Sequence, residues 1–362
     1  MTLRTECTLA LEALEPFLQQ GRSGQGPVLR QKPMAQVAEE LDVEGWIASG
    51  GLTGERLRPF LARYLESATH LDHPAYLGHQ VAVPHPMAVV AALIDATLNN
   101  PMAIYEMGPS AATVEHALLN WMLAKVGWQP MPLPSAAASG GHHGGGVLTH
   151  GGSLANLTAL AAARSQVAPN AWAEGVPPGT LVLIAPAGCH YSISRAASIL
   201  GLGHKAVIDA PTDANGRVIP SELETQIHQI RQSGAKVMAV VANAGSTAAG
   251  LYDPLREIAE LCRSLGVWLH VDGAHGASAL VSPRYRSLLD GIDGADSLVW
   301  DAHKMLRTPG LCVAVLVRDH RTLDGTFQEE ASYLFHDKDQ PGFDPLWPSA
   351  SSGVQAGDSE FF

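Results

Sequence analysis

The sequence predicts an α/β protein built on a mostly parallel sheet and preceded by a helical N-terminal segment. From Val147 to Asp319, short apolar runs alternate with amphipathic segments of helical period, the pattern of repeated βα units. The runs are rich in Val, Leu and Ile and give way to polar residues, Gly or Pro, as strands buried on both faces do. With 46% hydrophobic residues in a chain of 362, there is material for one large core with smaller pieces beside it.

Composition narrows the function classes. The net charge of −12, without a basic cluster, argues against nucleic acid or an anionic membrane as partner. The four cysteines are scattered and none forms a CxxC pair, so neither a disulfide framework nor a zinc knuckle is indicated, and a reducing compartment is expected. The N-terminus lacks an apolar signal core, and the run from Met87 to Ile94 is cut by Asp95, far short of a membrane span. A soluble cytoplasmic protein is the expectation.

Residues 2–20, 33–41 and 53–71 read as helices, the first carrying Leu9, Leu11, Leu14 and Leu18 on one stripe. From His70 to Gly108, Pro and Gly break the chain into loops around a helix over 87–98, and loops of this kind concentrate site residues. Four histidines (His70, His73, His79, His85) fall here, but no HxxxH helical spacing supports a metal, and none is expected. A helix capped by Ser110 runs to Lys125 with Gly127 as its stop, and residues 129–146 read as a low-complexity linker.

The segment VLTHGGSLANLTALAAAR (147–164) passes from a strand through a Gly-Gly-Ser turn into a helix. Its glycines permit close approach to an anion, and the helix start offers free amides at the positive dipole end, so Gly152 and Ser153 form a candidate phosphate cradle. Strands follow at 180–186, 204–209 and 236–242, with a helix at 221–232, and another from Asp253 and Pro254 to Leu265 stopped by Gly266. The strands GVWLHVD (266–272) and SLVWDAHK (297–304) then close on Asp272 and Lys304. Ligands sit at the carboxyl ends of strands in open α/β sheets. A carboxylate and an amine sharing that cleft suit pyridoxal 5′-phosphate, which needs a lysine for its aldehyde and an anion beside its pyridine nitrogen.

The segments HVDGAHGASA (270–279) and DAHKML (301–306) resemble the group II pyridoxal-dependent decarboxylases, which act on aromatic amino acids, glutamate, cysteine sulfinate and diaminobutyrate. The resemblance runs from about His70 to Gln355 and implies the large domain of fold type I, divided as a helical segment over 1–69 packing against a second subunit, a cofactor domain over 70–320, and a lid with the start of a small domain over 321–362. It implies a homodimer and an amino acid substrate, decarboxylated through a Schiff base on Lys304 and a quinonoid intermediate. By position it assigns the pyridine nitrogen to Asp272, ring stacking and proton chemistry to His190, a ring-face contact to Ala274, and cofactor contacts to Gly152, Ser153, Ser246 and His303. Tyr76, His79 and Gln80 would line the substrate pocket, and Glu329 to Pro345 would form the mobile loop that includes Tyr333. The residue after Asp272 is Gly273 where the family usually has Ala, and the sequence ends where the family's C-terminal small domain begins. Another enzyme of the same fold (an aminotransferase, lyase or racemase) or a family member that binds without turnover shares these residues.

Overall fold

Among the described residues, three of the seven strands are buried at every position and two more at all but their first, which is why their sequences read as apolar runs without alternation. The computed structural model describes residues 2–102, 105–133 and 141–327. The chain divides into two units, Met1–Val83 and Pro84–Phe362.

The first unit is helical. It comprises α1 (Leu3–Ser23), α2 (Met34–Leu41), α3 (Val43–Ser49) and α4 (Leu57–Glu66). Thr2 caps α1 by accepting the Thr5 amide at 3.3 Å, and Phe17 stacks on His70 with ring centroids 4.0 Å apart. The helix expected over 53–71 is shorter: a 3₁₀ turn at Gly54–Arg56 enters α4, which ends at Glu66.

The second unit carries α5 (Pro86–Leu98), α6 (Pro109–Val126), β1 (Gly145–Thr149), α7 (Gly152–Val167), α8 (Ala171–Glu174), β2 (Leu181–Ala185) and α9 (Ser192–Ile199). Then come β3 (Val207–Asp209), α10 (Pro220–Gln232), β4 (Lys236–Asn243), α11 (Leu255–Leu265), β5 (Trp268–Asp272), β6 (Ser297–Asp301), β7 (Val313–Val317) and α12 (Arg321–Phe327). The sheet order is β1-β7-β6-β5-β4-β2-β3; β7 runs antiparallel to both its neighbours and the other pairs are parallel. The mostly parallel sheet expected from the sequence is therefore the one found.

One face of the sheet packs its largest cluster against α6, α10 and α11, with Met122, Leu123, Ile227, Ile258 and Trp300 fully enclosed. The opposite face takes α7 and α9. Helix α7 is buried almost all round, from Ala155 through Ser165 with Leu157 alone half-buried, which its small-residue sequence ANLTALAAAR permits. Because side chains alternate along a strand, His270 and Asp272 of β5 point to the face that α7 covers, while Leu269 and Val271 point into the large cluster.

Several local expectations are corrected. Gly108, not Ser110, stands at the N-cap of α6, because Pro109 takes the first helical position that its fixed φ suits. Asp253 does not cap α11; its carboxylate accepts the Val218 amide at 2.9 Å and the Asn243 amide at 2.7 Å, tying a loop to the end of β4. The strand expected over 204–209 begins only at Val207, after a 3₁₀ turn, and β1 starts at Gly145, inside the stretch read as linker. Gly127 and Gly266 end their helices in left-handed backbone, φ 99° and 60°, as expected.

Candidate active site

The site is built at the carboxyl edge of β5 and β6. Their parallel register pairs Asp272 with Val299, so Asp301 lies two residues further along the same edge and Lys304 follows in the turn. Lys304 Nζ is 2.9 Å from Asp301 Oδ2, and the Asp301 side chain is 1% exposed. His303 hangs by Nδ1 from the Cys312 main chain, whose amide lies at 3.3 Å, and its Nε2 lies 3.7 Å from the same Asp301 oxygen. The other Asp301 oxygen is buried with no hydrogen-bond partner. Burial pushes the Asp301 carboxyl up, an effect that Lys304 and His303 offset only in part.

Helix α7 starts directly over this cluster. A Cβ on Gly152 would sit 3.4 and 3.5 Å from the two Asp301 oxygens and 3.9 Å from the Ala274 methyl. Gly151, in left-handed backbone at φ 103°, offers no capping side chain, so the first amides of α7 are left for a ligand. Gly152, Ala274, Asp301 and Lys304 are thus neighbours, with Ser153 next along the same helix.

One turn further along α7, Asn156 reaches Asp272. Its Nδ2 donates to Asp272 Oδ2 at 3.0 Å and to Ser192 Oγ at 2.8 Å, and its Oδ1 lies 2.9 Å from His270 Nε2. The second Asp272 oxygen accepts the Ala274 amide at 3.2 Å. His270 is fully buried, and desolvation pulls its imidazole down to about 4 even though the Asp272 charge works the other way. His190 is half-buried past the end of β2, 2.7 Å by Nδ1 from Ser192 Oγ. Burial lowers its pKa first, Asp272 raises it, and Lys304 and Arg195 lower it further, so the charges of both Asp272 and Lys304 are felt at this ring.

The structure therefore gathers Asp272, Lys304, His190, Ala274, Gly152 and Ser153 around one strand edge. Ser246 lies in the turn after β4, where its oxygen accepts the Leu251 amide at 3.1 Å and closes that turn. Tyr76, His79 and Gln80 belong to the first unit, where His79 and Gln80 take left-handed backbone at φ 61° and 54°. Glu329 to Pro345, with Tyr333, lies outside the described residues. Gly273 has a steric reason: an added Cβ would lie 2.8 Å from Leu298, 2.9 Å from Ala277 and 3.1 Å from the Val299 carbonyl. Burial pushes the Cys189 thiol up to about 11, which leaves it a packing group rather than a nucleophile at neutral pH.

Sequence reading passed over Asn156, Ser192, Ser297 and Asp301. A signal was present for three of them: Asn156 is a polar residue in a run of Leu and Ala four places after Gly152, and Ser297 and Asp301 share the strand face set by period two.

Residues 64–344 match the family model described as the pyridoxal-dependent decarboxylase conserved domain. The chain is 36% identical to the acidic amino acid decarboxylase GADL1 of Mus musculus over 310 residues, 85% of this chain and 54% of that protein. It is 34% identical to the cysteine sulfinic acid decarboxylase of Rattus norvegicus over 326 residues, 89% of this chain and 63% of that one. The chain thus spans between half and two thirds of the length of these relatives. Mouse CSAD in apo form aligns with a TM-score of 0.80 at 31% identity, covering 96% of this chain and 71% of that chain. Oryza sativa TDC with PLP and tryptamine aligns at 0.81 with 23% identity, over 98% and 71%, a likeness of fold. The residues present fit pyridoxal phosphate: an amine in Lys304, a fixed carboxylate in Asp272, uncapped helix amides at Gly152, and a buried Asp301 oxygen without a partner. By sequence, fold and the chemistry gathered at this strand edge, the chain belongs to the pyridoxal-dependent decarboxylase family.

Proposed function

We propose that the protein catalyses decarboxylation of an L-amino acid with an acidic side chain to the amine and carbon dioxide, using pyridoxal phosphate. The observation that carries this reading is Lys304 held against Asp301 at the edge where Asp272 closes the neighbouring strand. The names of the relatives, acidic amino acid decarboxylase and cysteine sulfinic acid decarboxylase, support the acidic substrate class.

When bound, the cofactor supplies an electron sink for the pair released as the bond from Cα to the carboxylate breaks. Lys304 supplies the amine that engages the cofactor's aldehyde. Asp272, held on both oxygens by Asn156 and the Ala274 amide, keeps a proton on the pyridine nitrogen. The start of α7, with Gly152 and Ser153, takes the phosphate; Ser246 and His303 complete the cofactor contacts. His190 would stack on the bound cofactor beside Ala274, and burial lowers its pKa, which favours the neutral imidazole. Tyr76, His79 and Gln80 are assigned to the substrate side chain by the resemblance alone.

The test is carbon dioxide release from a panel of acidic, aromatic, aliphatic and basic amino acids, with borohydride trapping at Lys304 read by peptide mass spectrometry. Release from aspartate, glutamate or cysteine sulfinate is expected. Trapping without release from any amino acid refutes decarboxylation, and release from aromatic amino acids alone refutes the acidic class.

The active form is a homodimer, a reading supported by α5: none of its residues is buried, and Met87, Val89, Val90, Leu93, Ile94 and Leu98 are all exposed. Sedimentation equilibrium tests it, a monomer at micromolar concentration being the contrary result. A reducing cytoplasmic location is supported by the four cysteines, all free; cell fractionation tests it.

A further inference from the structure

Asn156 joins two histidines that share no direct contact, and the donors around it leave one consistent assignment of hydrogens. The Ser192 amide lies 3.3 Å from His190 Nδ1, and a backbone N–H can only donate. That contact is long and only marks Nδ1 as the accepting nitrogen; the Ser192 hydroxyl, 2.7 Å away, is the stronger donor and holds the ring in this tautomer. The Ser192 oxygen in turn accepts from Asn156 Nδ2. At the other end, the Trp268 indole N–H donates to Ser297 Oγ at 2.9 Å, whose hydrogen goes to His270 Nδ1 at 2.8 Å. His270 Nε2 then carries the proton and donates to Asn156 Oδ1. Asn156 cannot flip, since that would set its oxygen against Asp272 Oδ2 with no hydrogen between them. Asn156, Ser192, His270 and Ser297 are all buried.

We propose that Asn156 is a positioning residue that, through Ser192, sets the tautomer of His190, so that the ring carries its proton on Nε2 and offers a donor to the cleft. The same amide clamps Asp272, so one side chain orients both groups that the proposed decarboxylation, on which this inference rests, places against the cofactor. His190 Nε2 shares its proton with none of the described residues.

The test reads histidine tautomers by long-range ¹H–¹⁵N correlation in the ¹⁵N-histidine-labelled full chain without added cofactor, His190→Gln and His270→Gln serving only to assign peaks. Both rings are expected as Nε2–H tautomers; an Nδ1–H form or an even mixture at His190 overturns the proposal. In Ser192→Ala, His190 gains Nδ1–H population and its titration midpoint rises by roughly half to one pH unit, while His270 keeps its tautomer. The charges that act on His190, those of Asp272, Lys304 and Arg195, stay in place in that variant. In Asn156→Asp, the new carboxylate draws the Ser192 hydrogen to itself, and His190 shifts as in Ser192→Ala. If Asn156→Asp does not fold, Ser192→Ala alone decides. An unmoved His190 in Ser192→Ala, or in folded Asn156→Asp, overturns the relay. Because no cofactor is present, failure here leaves the carbon dioxide assay to judge the function separately.

Discussion

Replacing Glu115 by Gln should change how stability depends on pH by about 3 kcal/mol. Glu115 is buried in α6; one oxygen accepts the Leu148 amide of β1 at 2.9 Å and the other has no partner. Desolvation raises its carboxyl from 4.5 to about 7, the amide bond opposing only part of that shift. A shift of this size, at about 1.4 kcal/mol per unit, corresponds to about 3 kcal/mol. The sign follows from proton counts. Between the two values the folded chain holds a proton that the unfolded chain has released, so the stabilisation is complete below pH 4.5 and is lost as pH rises through about 7. Glutamine keeps the carbonyl oxygen for the Leu148 amide and never ionises. Urea unfolding of both proteins from pH 4.5 to 8 should show the variant gaining on the parent by about 3 kcal/mol across the window. Other groups cancel in the comparison: Asp324, raised by burial to about 6, slopes the same way, and His270, lowered to about 4, slopes the opposite way, but both are present in each protein. Parallel curves would refute the assignment of a buried, protonated Glu115.

Lys304→Ala should abolish turnover without a compensating rise in KM and remove the borohydride-trapped adduct, because the covalent partner itself is gone; residual trapping at another lysine would point away from Lys304. Gly276→Ala should destabilise by about 1–3 kcal/mol in urea unfolding or block folding, since the new Cβ would lie 2.3 Å from the Ala244 carbonyl oxygen and 2.6 Å from the Tyr252 hydroxyl. Trp300→Phe should cost about 1–3 kcal/mol by the same measurement, because it strips the indole bond to Ser278 Oγ at 2.9 Å from a fully buried position.

The sheet was legible because strands buried on both faces carry little but Val, Leu and Ile, and the residues that close β5 and β6 stand out against them. Asp272 and Lys304 could be placed at one edge from strand order alone. Helix α7 was harder: Leu154, Leu157, Leu160 and Ala161 suggest a single apolar face, whereas its small side chains let neighbours cover it almost completely, and this hides Asn156 in a buried position. Helix α9 went unread because SISRAASI is short and rich in serine, which favours turns as readily as helix. Asp253 is the right residue type for a helix cap, but the bonds that claim it come from Val218 and Asn243, which only the fold brings near. Contacts between residues far apart in the chain are invisible to local pattern.

Helix α7 also acts as a ruler. Gly152 meets Asp301 and Asn156 meets Asp272, and the four-residue step from one to the other spans about 6 Å of helical rise. The spacing between the anion-receiving end of the cleft and its carboxylate end is therefore written into a single turn of backbone rather than into the meeting of separate loops. Inserting or deleting one residue within that turn would swing Asn156 by about 100° around the helix axis, turning it away from β5 while leaving Gly152 in place. Length variation should accordingly be tolerated in the turns around the cleft and not in this one.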